Sequence, residues 1–422
     1  MKRLQVGLAA SVLVAGFAGP AATADAATPT AVAPFTQTGF TAGAFGTQVS
    51  TTVANLRSGP TSYSGVSCTS LAGLTRKNSV ASLNLPGVLT GGAVSTTSKS
   101  ISDARGRTAE ATSTVGAINL LKGAVTAKAL STKASSTVSL AGAASGTNSM
   151  TLVGLTIGGR TVGADVSPNT TLALNVGGKP LAKVVINEQG KTTVNGLVRA
   201  YTRALHVTVN AKNTLGLPIG AEIVVGQSSA ALNAVPAGFA TGNGYALKAT
   251  LLNGTVKSGP HAYMSVPCAG GAAHNSTADG SVPGLVSAGV TTVDTKSTTV
   301  PSTKTDVNST IASASVLGGL VKATGIKAET SASRLAPMSP VVTTDTSKFL
   351  SVKVAGLPAI TGAVAPNTKV RVPGLGSVTF HKVEKTATGI RVTMVYIVLE
   401  KLLGNLPTNS VVELGVSESG VR

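Results

Sequence analysis

The stretch FGTQVSTTVANLRSGPTSYSGVSC, Phe45 to Cys68, recurs without a gap as YALKATLLNGTVKSGPHAYMSVPC, Tyr245 to Cys268. At an offset of 200 the two share Ser58-Gly59-Pro60 with Ser258-Gly259-Pro260, Tyr63 with Tyr263, Val66 with Val266, and Cys68 with Cys268. The match includes both cysteines of the chain, so the sequence reads as a tandem duplication. Further equivalences keep the same order. Leu85-Pro86-Gly87-Val88-Leu89 answers to Val282-Pro283-Gly284-Leu285-Val286, and Leu121-Lys122-Gly123-Ala124-Val125 to Leu317-Gly318-Gly319-Leu320-Val321. Pro168-Asn169-Thr170 lies over Pro366-Asn367-Thr368, a turn feeding strands at Thr171 to Val176 and Lys369 to Val372.

Within each copy the local pattern is one of strands. Tyr245-Ala-Leu247-Lys-Ala249-Thr-Leu251 alternates as a half-buried strand does, and short Val/Thr/Ile/Leu runs bounded by Gly, Pro or Asn recur throughout, whereas capped runs of period 3.6 are scarce. Ile390 to Val398 alternates at first and is then apolar on both faces, which reads as a strand passing from an exposed edge to a buried middle. Ala141 to Ser149 and Arg334 to Ser347 read as matched flexible segments. The expected fold is all-β: two tandem homologous antiparallel domains, sandwich or barrel-like, paired about a pseudo-twofold axis. Their boundaries are a signal peptide at 1–26, a flexible Ala/Thr/Pro leader at 27–38, the first repeat at 39–232, a linker at 233–243 and the second repeat at 244–422. With no Trp and 3% aromatic residues, cores of Val, Leu, Ile and Ala are expected.

The start of the chain reads as an export signal. Lys2 and Arg3 precede an apolar run from Leu4 to Ala18, and Ala22-Thr23-Ala24 and Ala24-Asp25-Ala26 offer small residues where a signal peptidase reads. The run is shorter than the ~20 residues that span a bilayer. Later apolar stretches are interrupted, as Ile390 to Leu403 is by Arg391, Glu400 and Lys401. A secreted protein, free or held to the surface by non-covalent contacts, is the expectation. Only 12% of residues are charged while 42% are hydrophobic, which places the chain among folded rather than disordered proteins. The net charge of +19 is shared by both repeats. Attraction to a polyanion is one reading of it, and a solubility charge on a Thr-rich surface is the other.

The order Gly244-Tyr245-Ala246-Leu247, Val282-Pro283-Gly284-Leu285-Val286, Ala204-Leu205-His206-Val207-Thr208-Val209 and Gly220-Ala221-Glu222-Ile223-Val224-Val225-Gly226 resembles the actinobacterial secreted proteins of the choice-of-anchor P family. That resemblance implies an exported, β-rich surface protein. The second repeat departs from it in carrying Val395-Tyr396-Ile397-Val398 where the first has Ala204-Leu205-His206-Val207, and the family's terminal anchor has no counterpart here.

Chemistry-bearing residues are sparse. Cys68 and Cys268 either form one disulfide across the axis or stay as two separate thiols, and both readings stand. His261 and His274 flank Cys268 with Asp279 nearby, which invites a zinc site or a Cys–His nucleophile. Thr61 stands in the first copy where the second has His261, however, and a fortuitous loop cluster is the simpler account. Glu188 and Glu384 fall at comparable points of the two copies, as do Glu222 and Glu413, each beside basic neighbours. Tyr63 and Tyr263 read as equivalent packing residues. Nucleophile elbows, zinc-protease helices and phosphate loops are missing from the sequence. We therefore assign no catalytic, cofactor or metal residues. The chain reads as a non-enzymatic structural or adhesion protein whose partner is an anionic cell-wall polymer or another surface protein. The alternative is a secreted hydrolase with its site between the domains. Nucleic acid is disfavoured, because the aromatic interleaving that stacks on bases is missing.

Overall fold

The computed structural model describes residues 38–51, 58–80, 82–85, 87–234, 240–250, 257–267, 270–277, 285–336, 338–362, 364–373, 375–400 and 408–422. The expected signal peptide and all of the leader except Thr38 lie outside them. The first half contributes β1 (Thr38–Ser50), β2 (Ser64–Thr69), β3 (Thr75–Val80), β4 (Leu83–Leu85), β5 (Leu89–Gly91), β6 (Val94–Asp103), β7 (Gly106–Val115), β8 (Ile118–Leu120), β9 (Val125–Ala127), β10 (Ala129–Val138), β11 (Ala144–Val153), β12 (Leu155–Ile157), β13 (Arg160–Val162), β14 (Thr170–Val176), β15 (Lys179–Val194), β16 (Leu197–Val209) and β17 (Glu222–Ala234). The second half contributes β18 (Ala240–Thr250), β19 (Lys257–His261), β20 (Met264–Ser265), β21 (Gly271–Thr277), β22 (Val286–Ala288), β23 (Thr291–Thr298), β24 (Thr303–Val316), β25 (Val321–Arg334), β26 (Val342–Asp345), β27 (Ser351–Val354), β28 (Ile360–Thr361), β29 (Thr368–Val372), β30 (Gly376–Thr386), β31 (Gly389–Leu399) and β32 (Val411–Val421).

Every pairing among the described residues is antiparallel, and the two halves follow one plan. In the first half β14-β15-β16-β17-β1-β2 form one sheet, and in the second β29-β30-β31-β32-β18 repeat that order, with β20 on β18 where β2 lies on β1 and β19 beside it. The facing layer of the first half is split into β11-β10-β7-β6-β3 and β13-β12-β9-β8-β5-β4. In the second half the corresponding layer is continuous, because the 14-residue strands β24 and β25 run through the level at which the first half breaks at Gly116-Ala117 and Lys128. The turns match as well. Asn169 and Asn367 both have φ of 61°. Their Oδ1 atoms accept from Gln189 N at 2.9 Å and Val383 N at 3.0 Å, while Thr170 and Thr368 bond back to Ser167 O and Ala365 O.

A shared device sets which residues face the core. In β16 the buried positions past Leu197 are Ala200, Thr202 and Ala204, then Leu205, Val207 and Val209; in β31 the core-facing ones are Ile390, Val392 and Met394, then Val395, Ile397 and Leu399, with Thr393 buried beside them on the other face. The alternation changes phase in mid-strand. On the flanking strands, Asn187 and Gly226 in the first half and His381 and Gly415 in the second adopt left-handed backbone, with φ between 51° and 60°. Pairing resumes without slippage, as Ile186 opposite Leu205 and Glu188 opposite Arg203, so the strands shift pleat together. Ile390 to Val398 is therefore two out-of-phase alternating segments, rather than a strand leaving an exposed edge for a buried middle.

The phase change separates two kinds of core. On one side, Leu120, Leu130, Leu155, Leu174, Leu205 and Val207 form an aliphatic cluster of the expected type. On the other, the layers meet through many alanines, Ala42, Ala44, Ala109, Ala111, Ala134, Ala200 and Ala230, with Phe40 and Leu232 among the few large side chains. Buried hydroxyls complete this second interface. Thr132 and Ser228 bond at 2.9 Å, Ser228 also reaches Thr132 O, Thr202 reaches Lys133 O and Ser113 reaches Phe45 O. The second half repeats this with Thr330, Ser417 and Ser419. Strand carbonyls have a second lone pair, so they accept these hydroxyls without surrendering the ladder. Part of the Ser and Thr content thus belongs to the core, beside the Val, Leu, Ile and Ala expected there.

The halves meet at a reciprocal seam. Tyr63 and Tyr263 stack with ring centroids 5.4 Å apart and planes 23° from parallel. Asn78 Nδ2 donates to Tyr63 O at 2.8 Å and to Pro260 O at 3.0 Å, and Asn275 Nδ2 donates to Tyr263 O at 2.9 Å and to Pro60 O at 3.4 Å. Each asparagine holds its own tyrosine and the other half's proline, as a pseudo-twofold axis requires. Gly59 leaves the room for this, since a Cβ there would coincide with Asn275 Oδ1. Between the halves, β17 runs through Ala234 and β18 begins at Ala240, a shorter joint than the 233–243 expected. β11 likewise starts at Ala144, inside the segment read as flexible.

Candidate functional site

The outward face of β25 gathers lysines that the sequence keeps apart. Strand pairing sets Lys322 directly opposite Lys353. One pleat further, beyond the phase change at Gly325 (φ 56°), Lys327 stands opposite Lys348, with reciprocal backbone bonds of 2.9 and 2.8 Å. Inward neighbours Val321, Val352, Val354 and Phe349 are buried, so alternation turns the lysines to solvent. Leu350, 72% exposed, lies over Gly325 between the two pairs, where any Cβ would collide with it. Like charges placed directly opposite on a ladder cost roughly 0.2–1 kcal/mol per pair. One carboxylate borders the patch: Glu329 binds Lys327 Nζ at 2.7 Å and Thr346 Oγ1 at 2.8 Å. Burial pushes its carboxyl upward, but the bonds from Lys327 and Thr346, with the charges of Lys327 and Lys348, hold it below the ordinary carboxylate range.

The matching positions of the first half are neutral. Thr126 is paired with Thr156 and Ser131 with Thr151, at the same ladder levels. Nothing in the sequence groups the lysines except one mirror relation: Lys322 and Lys327 are five residues apart, as are Lys348 and Lys353, on opposite arms of one hairpin. Once β25 and β27 are paired, that spacing superposes them.

Beyond Glu329 the same face hollows into a cavity of about 570 Å³, lined by His274, Asp294, Asp306, Asn308, Glu329 and Thr346 among others. Most of its charges are mutually engaged. His274 Nδ1 lies 2.6 Å from Asp294 Oδ1, Lys304 Nζ 3.0 Å from Asp306, and Lys327 binds Glu329 as above. His274 thus finds Asp294, its cross-strand neighbour, and His261 sits opposite Leu247 on β19, away from the cavity lining. Asp279, Cys268 and the side chain of Cys68 lie outside the described residues, and with them the disulfide expectation. Among the described residues no three His, Cys, Asp or Glu side chains are grouped as metal ligands.

The glutamates paired by sequence are not structural equivalents. Glu188, one residue past Asn187, corresponds to Lys382, one past His381, whereas Glu384 lies opposite Arg391. Glu222 lies opposite Thr208, the place of Val411 opposite Val398. Each glutamate serves a local network. Glu188 binds Arg203 at 3.2 Å and His206 at 2.9 Å, and Glu413 binds Arg391 at 2.9 Å and the Tyr245 hydroxyl at 2.9 Å. Burial and the Glu413 charge push the Tyr245 phenol well above its usual value, despite Arg391.

His381 is a structural residue. It occupies the left-handed position that Asn187 has in the first half, and the two do the same work: Asn187 Nδ2 donates to Val166 O at 2.9 Å, and His381 Nδ1 is 2.9 Å from Val364 O. The second ring nitrogen adds a bond of 2.7 Å to Asp345 Oδ2. No helix among the described residues is long and apolar enough to cross a membrane. Comparison with protein-family models, with curated proteins and with solved structures finds no match for this chain.

Proposed function

We propose that this is a secreted or cell-surface protein of an actinobacterial envelope, structural or adhesive rather than catalytic, that holds an anionic wall polymer. The observation that carries the reading is the pair of opposed lysines, Lys322 with Lys353 and Lys327 with Lys348. A polyanion threaded along β25 would turn two unfavourable like-charge pairs into favourable contacts, and the first half achieves the same ladder with Thr and Ser, so the fold does not need lysine there. The carboxylates and histidines described above are bound to neighbours, which suits a scaffold better than acid–base chemistry. The resemblance to the choice-of-anchor P family points the same way.

The test is co-sedimentation of the protein with purified actinobacterial cell walls, before and after anionic polymers are stripped, over a salt series. Retention should fall with salt and with stripping. Replacing the four lysines by their first-half counterparts, Lys322→Thr, Lys327→Ser, Lys348→Thr and Lys353→Thr, should flatten the salt dependence by roughly one logarithmic unit per lysine that meets a charge. Equal retention by intact and stripped walls, or by the wild type and the fourfold variant, would refute the reading.

A further inference from the structure

Among the described residues the strand β11 is an open edge without protection: it pairs only with β10, in ten unbroken steps from Ala129 opposite Val153 to Val138 opposite Ala144. Its sequence, ASGTNSMTLV, has no charge and no proline. Edge strands expose unpaired N–H and C=O groups, and folded proteins usually blunt them with charge, proline, bulges, shortness or cover. The other edges here follow that rule. β14 carries a register break at Leu174/Asn175, β29 has Lys369 and Arg371, β3 has Arg76 and Lys77, and β21 is met by the Gly59 N–H at Ser276 O. The second-half counterpart of β11 is most telling. β26 is cut to four residues, follows Pro340 and ends in Asp345.

We propose that β11 is a self-association edge, at which two copies of this chain pair antiparallel, β11 to β11, across a twofold axis near Ser149. The occupant follows from the strand's own chemistry. An uncharged strand meets its copy without repulsion, whereas a charged partner would find no complement. On the outer face Ser145, Thr147, Ser149 and Thr151 alternate; Ser145, Thr147 and Thr151 end rows of cross-strand hydroxyl residues, such as Ser135 with Thr147 at 2.6 Å and Thr108 with Thr137 at 2.9 Å, and Ser149 lies opposite Lys133, which is paired with Glu110. A second copy in antiparallel register sets Thr147 opposite Thr151 and continues those rows with further Thr–Thr and Ser–Thr pairs, which stabilise a ladder. The inner face is anchored already, by Asn148 Nδ2 to Gly190 O at 3.2 Å, so pairing requires no rearrangement of the sandwich.

The experiment is sedimentation equilibrium of the full chain over a concentration series, with hydrogen exchange measured at both ends of it. The wild type should approach twice the mass of one chain, and amides of residues 144–153 should gain protection as concentration rises. Thr147→Lys with Thr151→Lys, both on the exposed face, sets like charges against each other across the axis and should return the monomer at an unchanged melting temperature. Thr90→Lys with Ser95→Lys adds the same charge at exposed sites away from the edge and should leave the dimer intact. A wild type monomeric throughout, a dimer that survives the β11 lysines, or a control that dissociates equally well would each overturn the proposal. So would protection gained at another strand and not at 144–153.

Discussion

At four matched positions the first half carries Thr126, Ser131, Thr151 and Thr156, and the second carries Lys322, Lys327, Lys348 and Lys353. At the left-handed position of the long sheet the first half has Asn187 and the second His381. The first substitution changes only the solvated face of a ladder and leaves strand order untouched. The second keeps a bond to one backbone carbonyl, Val166 O or Val364 O, with a different ring or amide. Positions that set the pleat tolerate exchange only when the new side chain performs the old geometric task. Outward positions are under no such constraint, and it is there that the halves acquire different chemistry.

The seam offers the largest test of how far the halves depend on each other. Asn78→Ala with Asn275→Ala removes four bonds to backbone carbonyls at side chains that are 4% and 1% exposed. A loss of about 3–4 kcal/mol is expected, at roughly 1 kcal/mol per bond. Calorimetry should then resolve two transitions where the wild type has one. Tyrosine titration reports the same event. Burial, and next to it the neighbouring Tyr263, push the Tyr63 phenol up to about 12, and loosening the seam should bring it back towards 10. A single unchanged transition would mean that the halves are joined by something other than this reciprocal contact.

A smaller effect separates the two pleat switches. Gly226 and Gly415 have φ of 60° and 58°, where a Cβ costs about 1–2 kcal/mol on backbone grounds alone. In the first half an added Cβ would meet Ala204 Cβ at 3.3 Å, a contact that a slight shift relieves. In the second it would meet Ile326 Cγ2 at 2.7 Å, inside the aliphatic core. Gly415→Ala should therefore cost about 2–3 kcal/mol and Gly226→Ala about 1–2 kcal/mol, read by urea unfolding. Equal losses would show that Ile326 gives way in the second half as readily as Ala204 does in the first.

The fold class and the strands at Thr171 to Val176 and Lys369 to Val372 were legible in the sequence, because alternation and Pro-Asn-Thr turns are local signals. The twofold arrangement of Tyr63 and Tyr263 was legible too, through the offset of 200. The lysine patch was not. Lys322 and Lys353 are joined only by register, and a one-residue slip would turn either to the core. The glutamates misled for the same reason, since Glu188 and Glu384 occupy similar distances along the chain but sit one and three residues past the switch. Ile390 to Val398 misled because a left-handed residue on a neighbouring strand, His381, changes the phase of a strand that does not contain it. Ser and Thr in the sandwich interior resemble a solvated surface until the facing carbonyls are in place.

The comparison of Asn187 with His381 yields a pH dependence confined to the second half. The bond to Asp345, opposed by burial and aided by Val364 O, raises the His381 pKa from its ordinary 6.5. Burial works upward on Asp345 as well, but the bonds from His381 and Ser347 outweigh it and lower the carboxyl from 3.8. A raised histidine stabilises the fold fully below its unfolded value, and that contribution is lost as pH climbs through the higher folded value. A lowered carboxylate stabilises above its unfolded value and is lost as pH falls through the lower folded one. Both contributions are present together between about pH 4 and 6.5. His381→Asn should keep the bond to Val364 O, as Asn187 keeps its own to Val166 O, and lose only the ion pair. The variant should be less stable than the wild type by about 1 kcal/mol near pH 5.5, and the difference should shrink above pH 8. Urea unfolding at both pH values measures it. A deficit that persists at high pH would mean that the imidazole acts by shape in its turn rather than by charge, and that asparagine cannot take its place there.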